Sequence, residues 1–166
     1  TVLELARQKG ILRARDLVGQ NLSRVTLSRL VSEGHLIQLS RGLYSLPDRV
    51  VTQQDNLAEV AIKYPNSVFC LLTALQIHGL TTQSPHQVWL AIDVKARLPR
   101  MDYPPLKVVR FSSEALEAGA ESVRIDGVVS VLVTSIEKTI VDCFKYRNKI
   151  GHDIAIEALQ EAWRSK

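Results

Sequence analysis

The chain is poor in cysteine and in aromatic residues, and it contains no long apolar run. Its two cysteines, Cys70 and Cys143, stand in apolar segments without a C-x-x-C or cysteine–histidine spacing. That pattern argues against a disulfide framework or a zinc site and indicates two buried free thiols. No window approaches the ~20 apolar residues of a membrane span, and the first residues lack the order of a signal peptide. We therefore expect a cytoplasmic protein that holds no metal and contacts no membrane.

The sequence also lacks the short motifs of common enzyme chemistry. It contains no G-x-x-x-x-G-K-[ST], no G-x-G-x-x-G and no G-x-S-x-G, which argues against a phosphate-binding loop, a dinucleotide fold and a hydrolase nucleophile. Asp93 and Lys95 resemble half of a metal-dependent nuclease site, but no second carboxylate and lysine pair follows on the neighbouring strands. No metal-ligand spacing relates the four histidines, His35, His78, His86 and His152. The sequence therefore predicts no enzymatic activity and no cofactor.

Charge is present, and it is unevenly placed. The 166 residues are 46% hydrophobic and carry a net charge of +4, which fits one medium or two small folded domains. Residues 1–50 contain eight basic and four acidic side chains, whereas residues 51–166 contain thirteen of each. Seven of the eight basic residues in the first segment are arginines, the side chain best suited to phosphate and guanine contacts. The distribution predicts that the first domain binds a polyanion, although a merely solvated basic face is the alternative.

The first 47 residues show the element order of a winged helix-turn-helix. The pattern predicts a short helix ending at Gly10 and then, within residues 11–19, an extended entry and a second helix of about two turns. A third helix follows over residues 23–33, capped by Ser23, and strands over residues 35–39 and 43–46 form a hairpin. Three short helices and a hairpin predict a reading helix at 23–33, a wing at the hairpin and a DNA-binding domain over residues 1–50.

The predicted DNA-binding side chains lie on three parts of this domain. On the third helix, Arg24 and Arg29 are expected to contact bases or phosphates. At the wing tip, Arg41 is made accessible by Gly42, and it is expected to enter the minor groove or to bind its phosphates. Backbone contacts near the second helix and further hydrogen bonds on the third are expected from Arg13, Arg15, Ser23, Thr26 and Ser28.

The remaining residues, 51–166, predict a mixed α/β domain, so the fold class is α+β. Residues 51–66 form a connecting segment with a helix at 57–63, and the apolar residues 67–80 predict one buried helix. Four β-rich runs follow, and Asp126 and Gly127 signal a hairpin turn between the last two. The sequence Thr134-Ser135-Ile136-Glu137 predicts a capping box that opens a helix reaching Tyr146. A final helix is expected over residues 153–164.

The helix after Thr134 carries a charged group of its own. Lys138 and Asp142 stand one turn apart and can pair. Lys145, Arg147 and Lys149 follow as a local basic cluster. A solvated helix end explains this cluster, since cations are favoured at a helix C-terminus. The functional interpretation is a second contact surface for a nucleic acid or a protein partner.

Three segments bear a family resemblance. The sequence GHLIQLSRGLY at 34–44 resembles the wing of the AbiEi antitoxins, which belong to bacterial abortive-infection, type IV toxin–antitoxin systems. The segments 69–81 and 137–147 look like the C-terminal antitoxin domain of that family. The resemblance implies a protein encoded beside a nucleotidyltransferase toxin. Its winged helix would bind inverted repeats in its own promoter, and its C-terminal domain would counter the toxin without needing a stable complex.

Two other functions remain open from the residues alone. The first is a winged-helix transcriptional regulator whose C-terminal domain responds to a small ligand. The second is a nucleic-acid-processing enzyme that uses Asp93, for which the sequence offers less support.

Overall fold

The computed structural model describes residues 1–49, 53–125 and 129–165, and these residues form two compact units. The first unit contains the described residues up to Lys63, together with Arg124, Ile125, Val129 and Ser130. The second contains residues 64–123 and 131–165. The sequence places the boundary between two domains at residue 50, and this boundary stays a prediction.

The first unit has the architecture of a winged helix-turn-helix. Its strands form an antiparallel sheet in the order β1-β3-β2, in which β2 and β3 are the wing hairpin. In chain order its elements are α1 (Val2–Lys9), β1 (Leu12–Arg13), a 3₁₀ helix (Ala14–Leu17), α2 (Arg24–Ser32), β2 (Ile37–Ser40), β3 (Leu43–Ser45) and α3 (Gln53–Lys63).

Local capping explains where α1 and α2 begin. The Thr1 hydroxyl oxygen accepts a hydrogen bond from the backbone N–H of Glu4 at 3.2 Å, which starts α1. The Ser23 Oγ accepts from the backbone N–H of Val25, also at 3.2 Å, and starts α2 as predicted. Leu27 and Leu30 then point from α2 into a small apolar core, which also contains Val2, Ala6, Leu12, Leu17 and Leu36.

The predicted second helix of two turns is wrong, because it is a single 3₁₀ turn. Leu12 and Arg13 pair with Tyr44 and Leu43 of β3, so their backbone groups belong to the sheet. The Asp16 carboxylate accepts from the backbone N–H of Arg13 at 2.9 Å and closes the turn. Only Ala14–Leu17 remain for a helix, because the backbone of Val18 is extended again. These four residues form a single turn.

The second unit is built on a mixed sheet in the order β6-β5-β4-β8-β7. The pairs β5/β6 and β4/β8 are parallel, and β4/β5 is antiparallel. Its elements in chain order are β4 (Val68–Phe69), α4 (Leu71–Ile77), β5 (Val88–Asp93), β6 (Leu106–Phe111), α5 (Ser113–Ala118), β7 (Ala120–Ile125), β8 (Val129–Thr134), α6 (Ile136–Lys145), α7 (Arg147–Ile150) and α8 (His152–Arg164). Arg124, Ile125, Val129 and Ser130 at the ends of β7 and β8 belong to the first unit.

Two sequence predictions in this region need correction. The apolar segment 67–80 is a strand followed by a helix, since Val68 and Phe69 pair with β5 in the middle of the sheet. A strand buried on both faces is apolar throughout, so it cannot be told from a buried helix by periodicity. The cap of α6 is Ser135, whose Oγ accepts from the backbone N–H of Lys138, whereas Thr134 ends β8. The expected turn at 126–127 lies outside the described residues.

The predicted burial of both thiols is confirmed. Cys70 and Cys143 are free and have no exposed surface, within a core that also holds Leu71, Leu75, Ala91 and Phe111. Among the described helices, none combines the length and the apolar character needed to cross a bilayer.

Candidate nucleic-acid interface

The outward face of α2 presents polar and apolar side chains together. Leu27 and Leu30 are buried, and Ser28 and Arg29 lie on the exposed side with Val25. Arg24 is exposed beside this face, whereas Thr26 is half-buried at its opposite edge. Ser23 is exposed, but its hydroxyl already accepts the capping hydrogen bond from Val25. Arg24, Val25, Ser28 and Arg29 are therefore the side chains that α2 can offer to a groove.

Arg29 is restrained only weakly in the free protein. Its Nε lies 3.8 Å from Oε1 of Glu33, one turn further along, and the two side chains are 68% and 48% exposed. Ion pairs at this exposure are worth ~0.2–1 kcal/mol because water and salt screen them. A phosphate or a guanine edge can therefore replace Glu33 as the partner of Arg29 at small cost.

The wing presents Arg41 on a turn that requires glycine. Arg41 is exposed, and Gly42 after it has φ +81°, a left-handed conformation that side chains disfavour. The carbonyl of Gly42 accepts from the backbone N–H of Ala14 at 3.0 Å, which fixes the wing to the 3₁₀ helix. The register of β2 against β3 shifts between Gln38 and Ser40. A fixed, irregular turn thus carries the wing arginine.

The two arginines before α2 have different surroundings. Arg15 is exposed on the 3₁₀ helix, where a phosphate can reach it. Arg13 is half-buried on β1 and lines a cleft with Lys9 and Asp16, to which α2 contributes no described residue. The structure therefore separates Arg13 from the reading helix, whereas the sequence predicts DNA-backbone contacts from both arginines.

Sequence reasoning missed one side chain on this surface. Val25 is 76% exposed at the second position of α2, although it is apolar. An exposed apolar side chain on a reading helix can contact the methyl group of thymine in the major groove. The signal was present in the sequence, because Leu27, Leu30 and Val31 are spaced as one apolar face of the helix and Val25 falls outside that face.

In the second unit, Lys138 and Asp142 form a bidentate ion pair inside the packing. The Lys138 Nζ lies 2.8 Å from Asp142 Oδ1 and 3.0 Å from Oδ2, and the side chains are 23% and 4% exposed. The ammonium also sits 4.7 Å from the centre of the Phe111 ring. The stem of Lys138 fills the space over Gly119, where an added Cβ would lie 1.9 Å from Cδ. This pair is enclosed by the packing and presents little surface.

Two of the cations after Asp142 lie near an aromatic ring. The Nζ atoms of Lys145 and Lys149 lie 5.5 and 5.7 Å from the centre of the Tyr146 ring. Tyr146 stacks on Phe111 at 6.3 Å, and burial raises the pKa of its phenol. Arg147 donates from Nη1 to the carbonyl of Phe144 at 2.8 Å. Lys145, Arg147 and Lys149 are exposed, and we call these three side chains the basic rim.

The residues proposed for nuclease chemistry have structural roles. The Asp93 carboxylate accepts from the Ser113 hydroxyl and, at 2.8 Å, from the backbone N–H of Lys95, and these two bonds lower its pKa. The carboxylate therefore organises the turn after β5 and the start of α5. Within the described part of the chain, no three histidine, cysteine or acidic side chains come together as metal ligands.

Comparison with known proteins agrees with the geometry of the first unit. Residues 1–47 match a family described as "Transcriptional regulator, AbiEi antitoxin". No curated protein matches the chain. The fold is similar to that in the crystal structure of the RV2827C protein from Mycobacterium tuberculosis, with a TM-score of 0.57 and 18% identity over 86% of this chain. The match spans 58% of that protein's length. The resemblance to the AbiEi antitoxins is thus confirmed over residues 1–47, and it is a resemblance to transcriptional regulators, not to enzymes.

Proposed function

We propose that the protein is the antitoxin of a type IV toxin–antitoxin system and represses its own promoter. The observation that carries the proposal is the outward face of α2, where Arg29 and Val25 stand exposed within the segment that matches AbiEi regulators. Promoter DNA is the first partner, and the protein acts in the cytoplasm, where bacterial DNA is found. The second partner is the product of a neighbouring gene, a nucleotidyltransferase toxin.

On the operator, α2 enters the major groove. Arg29 reads guanine or binds a phosphate, Val25 packs against a thymine methyl group, and Ser28 adds a hydrogen bond. Arg41 reaches from the wing into the neighbouring minor groove or to its phosphates. Further backbone contacts come from residues beside these, namely Arg15, Ser23, Arg24 and Thr26.

Fluorescence anisotropy tests the regulator half of the proposal. The full chain is titrated with the DNA upstream of its own gene and with a scrambled duplex, at 50 and 200 mM salt. We expect specific binding that weakens steeply as salt increases. Arg29→Ala should reduce the preference for the upstream DNA, whereas Arg41→Ala should weaken binding to both duplexes. The control Arg97→Ala removes an exposed arginine of the second unit and should change neither. Equal affinity of the wild type for both duplexes would refute the promoter role.

The second unit carries the proposed antitoxin activity. The basic rim is its clearest exposed cluster of cations, and α6 presents the first of them beside the ion pair of Lys138 and Asp142. Because neutralisation does not require a stable complex, a transient contact is enough. The basic rim makes this contact with the toxin or with a nucleic acid that the toxin uses.

Co-expression with the toxin separates the two activities. The triple variant Lys145→Ala, Arg147→Ala, Lys149→Ala should lose growth rescue and keep promoter binding. The double variant Arg29→Ala, Arg41→Ala should do the opposite. Full rescue by the triple variant would show that the basic rim has no part in neutralisation.

A further inference from the structure

The first unit contains a cleft of about 380 Å³ that the proposed DNA contacts do not use. We call it the basic cleft. Its walls come from the end of α1, from β1 and the 3₁₀ helix, from α3, and from the ends of β7 and β8. Its volume lies in the range of sites for small organic molecules, ~300–1,000 Å³.

Three cations and one carboxylate line the basic cleft. The cations are Lys9, Arg13 and Arg124, and the carboxylate is Asp16. Both Asp16 oxygens are engaged, one at 3.3 Å from the Lys9 ammonium and the other at 2.9 Å from the backbone N–H of Arg13. Among the described residues, no carboxylate pairs with the guanidinium of Arg13 or of Arg124. The cleft therefore has an excess of positive charge and two arginines available to an anion.

The rest of the lining is apolar or neutral. Ile11 and Val129 are buried, and Ile62 is half-buried beside them. Gln8 and Ser130 add an amide and a hydroxyl that can donate or accept hydrogen bonds. A DNA phosphodiester would meet the arginines and leave this apolar lining unfilled. A ligand with an anionic head and an apolar body matches both parts of the surface.

We propose that the basic cleft binds a small organic anion. Its phosphate or carboxylate group contacts Arg13 and Arg124, and its apolar body packs on Ile62, which is only half-buried, beside Ile11 and Val129. The site stands independently of promoter binding, because none of these contacts involves α2 or the wing. It also assigns Arg13 a role that differs from the DNA contact expected from the sequence.

Isothermal titration calorimetry tests the site without any DNA. The full chain is titrated with phenyl phosphate and, separately, with inorganic phosphate. We expect phenyl phosphate to bind, and to bind more tightly than inorganic phosphate because only phenyl phosphate fills the apolar lining. Arg124→Gln should weaken phenyl phosphate binding about tenfold, whereas Arg97→Gln should leave it unchanged. Arg124 is exposed, so its replacement should not prevent folding, and circular dichroism checks this. No binding, or equal binding by Arg124→Gln, would overturn the proposal.

Titration with a scrambled duplex distinguishes an effector site from a DNA-backbone site. Arg124→Gln should bind the duplex as the wild type does. If it instead loses duplex affinity and phenyl phosphate fails to bind the wild type, the cleft holds a DNA phosphate and the proposal is wrong. Failure of promoter recognition would leave the phenyl phosphate result unaffected.

Discussion

The charged side chains that the sequence singles out in the two units have opposite surroundings. In the first unit Arg24, Arg29 and Arg41 are exposed, and Arg29 has only a screened contact with Glu33. In the second unit the charged pair that stands out in the sequence is turned into the packing, where Asp142 binds Lys138. Similar side chains are thus exposed in the first case and part of the packing in the second. The recognition role that we propose for the arginines rests on their exposure and not on their residue type.

The second unit also buries more of its polar groups. The Thr73 hydroxyl accepts from the backbone N–H of Trp89 at 2.8 Å, and the Thr139 hydroxyl contacts that of Thr134 at 2.6 Å. Each buried polar group with a partner helps to define one arrangement of the core, and losing a partner is expensive. We therefore expect substitutions at polar positions to destabilise the second unit and substitutions at surface arginines of the first unit to affect binding alone.

The largest effect is expected for Asp142→Ala. It leaves the Lys138 ammonium partly buried without its partner, and breaking such a pair by removing one member costs ~3–5 kcal/mol. Urea unfolding followed by tryptophan fluorescence measures this, since Trp89 and Trp163 both lie in the second unit. Glu137→Ala, an exposed position on the same helix, is the matched control. A loss below ~1 kcal/mol would mean that the pair is solvated and contributes little to the packing of the second unit.

Leu27→Ala tests the first unit in the same way. Leu27 is 1% exposed in a core of few large side chains, so the cavity should destabilise the unit by ~2–5 kcal/mol. DNA binding should be lost together with protection of the α2 amides in hydrogen exchange. Tryptophan fluorescence of the second unit should change little. Lost DNA binding with full amide protection would point to a direct role of Leu27 in binding.

Alkaline pH should act selectively on the second unit. Burial raises the pKa of Cys143 to about 12 and raises the pKa of Cys70 as well. An unfolded cysteine titrates near ~8.5, so above that pH the unfolded chain releases protons that the folded chain keeps. The stability is fully present below pH ~8.5 and decreases above it, by up to ~1.4 kcal/mol per pH unit for each thiol. Urea unfolding at pH 7.5 and 9.5 measures the loss, and Cys70→Ala with Cys143→Ala should abolish most of it.

The smallest effect is expected for Val25→Ala. Its side chain is exposed and makes no core contact, so the stability should stay within ~0.5 kcal/mol. Loss of a thymine methyl contact should weaken binding to the upstream DNA by ~1 kcal/mol and leave the scrambled duplex unaffected. Val18→Ala, equally exposed but outside α2, should change neither affinity. Equal losses on the two duplexes would remove Val25 from base reading.

The sequence predicted the first unit well because its signals are local. The cap at Ser23, the spacing of Leu27 and Leu30 and the turn at Gly42 each determine structure within a few residues. The wrong predictions lie where contacts between residues far apart in the sequence determine the structure. Leu12 and Arg13 leave the second helix because β3 lies beside them, and residues 67–80 divide because β5 pairs with the first part.

The candidate sites show the same limit. The spacing of Lys138 and Asp142 predicted that they pair, and their contact at 2.8 Å agrees. Periodicity alone could not predict that Phe111 and Gly119, from other elements, enclose the pair. The basic cleft brings Arg13 and Arg124 together from positions far apart in the chain, so no short motif marks it.

The packing of Lys138 over Gly119 has a consequence for how related sequences vary. A methyl group at position 119 would meet the middle of the lysine stem, so the two positions cannot both carry bulk. Among homologues, a residue larger than glycine at 119 should coincide with a shorter side chain at 138. Without the lysine ammonium, an acidic side chain at position 142 has lost its ion-pair partner and is no longer favoured. These three positions should therefore covary as a group, and an alignment of relatives would show the group even where overall identity is low.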